Sequence, residues 1–174
     1  MSAVNSNLVV IEFDNILADH LAADRLYYQS TFWWKADKVV AVLLIAAGVL
    51  FVVTAGIRWW TIVWFPVAFA EWFNMLSPRP LQIRAFFKRN PKFLETYHLS
   101  FSEAGIHFET LSLDSRIAWT HYARVLENDR VILLIYGKRM YTVIPRRAFS
   151  DGSQYAALMS LVRRHIPERM LAGD

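Results

Sequence analysis

TAGIRWWTIVW, residues 54–64, sets one arginine inside a long apolar run, and its reading decides what the middle of the chain is. From Val39 to Leu76 the only charged residues are Arg58 and Glu71. Residues 39–57 carry no charge and, as a helix, would reach across the roughly 30 Å hydrocarbon core of a bilayer. Residues 59–76 form a second apolar segment of similar reach. One helix through both would bury Arg58 mid-span, at about 2.5–3.5 kcal/mol on insertion scales. Two antiparallel spans avoid that cost by putting Gly56, Arg58 and Trp59 at the far interface, where glycine permits a tight turn and tryptophan suits the headgroup level. Arg58 is therefore read as a turn residue. A soluble helical hairpin is the competing reading, and it needs the rest of the chain to cover two helices that are apolar on every side.

The flanks set the orientation. Lys35 and Lys38 precede the first span, and Arg79, Arg84, Lys88, Arg89 and Lys92 follow the second. The positive-inside bias then predicts a multi-pass protein of the cell inner (plasma) membrane with both termini cytoplasmic. Trp33, Trp34 and Trp72 supply the inner aromatic belt. Glu71 is an acid within the second span and so a candidate for function, although its depth lets it reach headgroups or a nearby base. Pro66 lacks a backbone donor and predicts a kink of the second span near Ile62, read as serving packing.

Outside this run the chain has globular composition. Cysteine is absent, which excludes disulfides, thiolate metal sites and a cysteine nucleophile. The acidic, polar start argues against a cleaved secretory signal. Residues 1–38 hold three bases against five acids, whereas residues 78–174 hold fifteen against nine. Opposite signs favour docking of the first segment on the last, though surface charge contributes little.

LVVIEF, residues 8–13, is short and β-branched and predicts a strand; a helix follows to about Ser30, capped by Asp14 or Asn15. Residues 81–89 predict a short helix with its bases toward the inner leaflet and Ile83, Phe86 and Phe87 buried. From Thr96 the period becomes two, with strands over 97–101, 106–109 and about 115–120 and a hairpin pairing 130–136 with 139–145. A closing helix spans about Gly152–His165, with Asp151 and Gln154 as a capping box. Antiparallel strands followed by one amphipathic helix suggest an α+β unit or a small barrel plugged by that helix, in the order of a pleckstrin-homology (PH) domain. The predicted organisation is an N-terminal strand and helix over 1–37, a transmembrane hairpin over 38–77, and a cytoplasmic domain over 78–174 that the first segment joins.

Phe101-Ser102-Glu103-Ala104-Gly105-Ile106, Ile117-Ala118-Trp119-Thr120 and Val143-Ile144-Pro145-Arg146-Arg147-Ala148-Phe149 carry a resemblance covering most of the chain, to the YcxB-like proteins of bacteria. The chain departs from them at His121, where members often have an acid near the tryptophan, and at Arg146, where they often have lysine. The resemblance implies an integral membrane protein with a PH-like cytoplasmic domain, and it supplies no activity or catalytic residues to carry over.

Chemistry is sparse. There is no glycine-rich phosphate loop, nucleophile elbow or His-Glu-x-x-His motif. His98 and His107 fall on neighbouring strands and, with Glu109, can form a metal site, although solvent-facing histidines are the commoner outcome. His121 can titrate near neutral pH, but nothing marks it as a base. The bases are scattered without aromatic interleaving, which disfavours nucleic acid. The expected function is thus non-enzymatic, without cofactor or metal: a membrane protein whose domain docks a protein partner or anionic headgroups through Arg84, Lys88, Arg89, Arg146 and Arg147. The alternative is a structural subunit packing into a larger membrane complex, or into an oligomer, through Ala46, Ala47, Gly48 and Ala55. An enzyme acting around Glu71 or the His98/His107 pair ranks last.

Overall fold

The computed structural model describes residues 8–90 and 94–166. It divides into two compact units, one of Tyr28–Gln82 and one assembled from the segments before and after it.

In the first unit, α2 (Phe32–Ala55) is twenty-four residues long, whereas α1 (Leu17–Gln29) falls almost wholly in the other unit. The helix starts earlier than the apolar run and stops at Ala55, because Gly56 turns to φ 76° while its N–H still closes on the Val52 carbonyl at 3.0 Å. Arg58 follows in extended conformation (φ −136°, ψ 159°) at the head of α3 (Trp59–Ile62). The fully buried Thr61 hydroxyl holds this turn: it accepts from the Arg58 N–H at 2.9 Å and faces the carbonyls of Arg58 and Gly56 at 2.8 and 3.1 Å.

The chain then runs back along α2. Phe51 meets Trp60 and Trp64, with ring centroids 6.1 and 5.6 Å apart, and Gly48 faces Trp64 and Phe65. At the other end the Lys38 ammonium sits over the rings of Trp34 (5.3 Å) and Trp72 (5.0 Å) and donates to the Trp72 carbonyl.

The second apolar segment is not one continuous helix over 59–76. It breaks at Val63, resumes as α4 (Trp64–Trp72) and ends in turns that include Asn74 at φ 55°. Pro66 has no N–H for the Ile62 carbonyl and its ring crowds that group, so the ladder is interrupted there. Among the described residues, α2 alone is long and apolar enough to cross a membrane. Only 11% of its apolar window is buried, at positions such as Ala41 and Gly48, so the described residues leave most of it uncovered.

The second unit is α+β, with two open antiparallel sheets. β1 (Val9–Asp14), β2 (Thr96–Ser102), β3 (Gly105–Glu109) and β4 (Asp114–Ile117) pair in that order. β5 (Arg124–Glu127), β6 (Val131–Gly137) and β7 (Met140–Pro145) form the second sheet. The strand expected over about 115–120 ends at Ile117, because Trp119–His121 coil into a 3-10 turn. That turn carries the chain into β5, a four-residue strand too short to announce itself by alternation. The second hairpin turns through Lys138 and Arg139, the latter at φ 62°, one residue beyond the expected Gly137-Lys138.

Burial alternates along β1, and Val9, Ile11 and Phe13 join Leu99, Phe101, Trp119, Ile132, Leu134 and Ile144 in one core. β6 is buried on both faces. Its Ile132 and Leu134 enter this core, whereas Val131, Leu133 and Ile135 pack with Ala23 and Leu26 of α1 (Leu17–Gln29). The closing helix α6 (Gly152–His165) begins where Asp151 accepts from the Gln154 N–H at 2.8 Å, and it seals the core with Leu158, Met159, Leu161 and Val162. In α5 (Arg79–Arg89) Phe87 is buried, edge-on to His20 at 4.8 Å. Phe86, expected to bury, is 48% exposed, since it projects from another side of the helix.

Gly105 sits at φ 145° where β3 begins, and a Cβ there would lie 2.4 Å from the Ile117 carbonyl oxygen. Backbone rather than a movable side chain blocks the space. Gly105→Ala is expected to cost well over about 1 kcal/mol, read as faster amide exchange in β3 and β4. Unchanged exchange would refute the steric account.

Candidate functional site

The five bases singled out by sequence divide into two groups. Arg146 and Arg147 follow β7 in a 3-10 turn and spend their charge inside the unit. Arg147 Nη2 lies 2.7 Å from the Asp19 carboxylate, whose side chain is 8% exposed, and donates to the Asp14 carbonyl at 2.6 Å. Arg146 lies 3.6 Å from Glu127 and 4.3 Å from the centre of the Tyr155 ring, while Tyr155 donates its hydroxyl proton to Glu127 at 2.6 Å. The buried Arg146 Nε has no partner among the described residues.

Arg84, Lys88 and Arg89 of α5 differ. All three are exposed, and none forms an ion pair among the described residues. Arg84 and Lys88, four apart, are neighbours on the helix surface. Lys92, the remaining base expected at the membrane, lies outside the described residues.

The two histidines lie diagonally on one face of the sheet, and each takes a different carboxylate. His98 stands opposite Glu12 and Glu109, and its Nδ1 is 3.5 Å from Glu12. His107 stands opposite Ser100 and Arg116, with Nε2 2.7 Å from Asp114. Among the described residues no three His, Asp or Glu side chains gather as a metal would need. His121 is exposed, and Glu71 forms no ion pair among the described residues.

The motif residues that carry the resemblance prove to be architectural. Phe101 is fully buried, and Gly105 makes the close approach described above. Trp119 donates its indole N–H to the Ser102 carbonyl at 2.8 Å and stacks on His165 at 5.4 Å, within 3° of parallel. Glu103 takes both Arg164 (2.7 Å) and His165 (2.8 Å), and the His165 hydrogen bond leads in holding its carboxyl below the usual range.

Sequence reasoning missed one feature, a cavity of about 260 Å³ reaching from the first sheet to the second. Phe13 stacks on Tyr97 at 5.8 Å, and Tyr97 meets Phe108 edge-on at 5.1 Å, so three strands contribute one continuous aromatic wall. Tyr136 and Thr142 line it from the second sheet. At one corner the buried Asn15 Oδ1 is 2.6 Å from His20 Nε2, and the Asn15 side chain also hydrogen-bonds Tyr97. Burial lowers the His20 pKa against the opposing pull of Asp19, and burial raises that of the Tyr97 hydroxyl. Both groups are therefore neutral at neutral pH.

These features define the class: a small two-sheet α+β domain, discontinuous in sequence, attached to an apolar helical segment. Residues 101–162 match the family model described as YcxB-like protein, and the chain carries a YcxB-like domain. That match takes in β3 to β7 and most of α6. No curated protein and no solved structure matches the chain.

Proposed function

We propose that this chain is a non-enzymatic docking module of the inner membrane. In this reading α2 and the returning α3–α4 segment lie in the bilayer as a two-pass hairpin, with both termini cytoplasmic. The α+β unit is a PH-like domain, and α5 presents Arg84, Lys88 and Arg89 to anionic lipid headgroups or to an acidic protein partner. Four strands, then three, then a sealing helix is the arrangement that a PH-like reading requires. The uncovered apolar surface of α2 supports the bilayer placement, because a core helix of a soluble protein would be wrapped by its own chain.

The observation that carries the headgroup reading is the contrast among the bases. Arg146 and Arg147 are engaged internally, whereas the α5 bases are exposed and follow directly on the apolar unit in sequence. Each such base gains about 1 kcal/mol at an anionic leaflet. The rival reading, a structural subunit packed through its small residues, loses Gly48, whose open side is filled by Trp64 and Phe65 of the same chain.

The test uses the full chain in nanodiscs. Amides of α5 are expected to exchange more slowly in discs with anionic lipid than in zwitterionic ones, and the difference should vanish in Arg84→Gln/Lys88→Gln/Arg89→Gln. Equal exchange in both lipids rejects headgroup docking.

A further inference from the structure

We infer that the cavity between the two sheets is a binding site for a small, uncharged, single-ring aromatic molecule bearing one hydrogen-bonding group. Volume, wall and corner each constrain the occupant. An engineered cavity of about 150 Å³ takes benzene, and this one measures about 260 Å³. That suits one ring with a short side chain and is too little for a nucleotide or a phospholipid.

The wall selects an aromatic ring. Phe13, Tyr97 and Phe108 already pack stacked and edge-on against one another, and a guest ring can continue the series opposite Tyr136. The corner selects an uncharged polar end. His20, Asn15 and Tyr97 can exchange hydrogen bonds with a hydroxyl or carbonyl. None of the lining residues brings a formal charge, because His20 is neutral there and the nearby Asp19 is already matched by Arg147. A carboxylate or ammonium would enter this site without a counter-charge and lose its hydration.

The cavity is not a packing flaw of the ordinary kind. Cavities that stay empty are characteristically apolar, whereas this one gathers a preformed polar corner at the end of an aromatic wall. The inference stands apart from the headgroup reading, since none of the α5 bases lines the cavity.

The experiment is methyl NMR on the full chain in nanodiscs, titrated with 2-phenylethanol and, separately, with phenylacetate at neutral pH. Saturable shifts are expected at Leu113, Ile117 and Val143 with the alcohol, at least tenfold weaker with the carboxylate, and absent in Ser115→Trp, which fills the cavity. Should Ser115→Trp fail to fold, Leu113→Trp narrows the half-exposed rim instead. Absence of saturable shifts, equal response to both probes, or full response in the filled variant each overturns the inference.

Discussion

Replacing Trp119 by alanine is expected to destabilise the two-sheet unit by about 3–5 kcal/mol, the usual range for deleting a buried tryptophan. The indole is 4% exposed and touches groups from three parts of the unit. Its rings lie 6.5 Å from Phe101 in β2, 6.1 Å from Tyr122 ahead of β5, and 5.4 Å from His165 in α6. Deleting it also leaves the Ser102 carbonyl without its indole partner at the β2–β3 turn. Amide exchange of β2, β6 and α6 in the full chain would report the loss, all three speeding up together. Trp119→Phe keeps part of the ring contact and removes the N–H, so its cost should be intermediate. A deficit below about 1 kcal/mol for the alanine variant would show that the sheets and the closing helix cohere without this side chain.

The second large effect is expected at Arg147. Removing one member of a buried pair strands the other charge, typically at 3–5 kcal/mol. Arg147 remains 44% exposed, so water already screens its side of the contact and about 3 kcal/mol is the appropriate figure for Arg147→Met. The loss should concentrate in β1 and the start of α1, because Arg147 holds both the Asp19 carboxylate and the Asp14 carbonyl. Asp19→Asn in the same chain removes the stranded charge and should recover a substantial part of the stability. If the double variant is no more stable than Arg147→Met alone, the stranded carboxylate is not the cause.

Both residues sit in the stretches by which the chain resembles YcxB-like proteins, and both tie together segments of the two-sheet unit. Recognising such residues identifies a fold and is silent on a ligand.

Several elements were legible without coordinates because their causes are local. Alternation in 97–101 and 106–109 needs only one buried face, and the strands β2 and β3 follow it. Asp151 caps α6 through a residue three positions away. Gly56 and Arg58 interrupt an apolar run, and the chain turns there. Pro66 breaks a helix through its own ring. The bases of α5 were legible as candidates because exposure follows from a helical face.

Other features depend on residues far apart in sequence. The engagement of Arg147 was invisible, since Asp19 is 128 positions away. The different carboxylate partners of His98 and His107 depend on a strand register that brings Glu12 to one and Asp114 to the other. The aromatic wall exists because Phe13 falls opposite Tyr97 across an 84-residue gap, and Phe108 falls diagonally beyond.

By itself, then, the chain's order of residues determined the Asp151 cap of α6, the place where the apolar run reverses, and which bases stand on a helix surface, because sterics, capping and periodicity act over a few positions. Tertiary structure alone decided that the strands form two open sheets, that two candidate arginines are consumed by internal carboxylates, and that a polar-cornered cavity remains between the sheets. Those outcomes arise from burial and register among distant segments, where a charge meets its partner or a ring its neighbour only after the whole unit has closed.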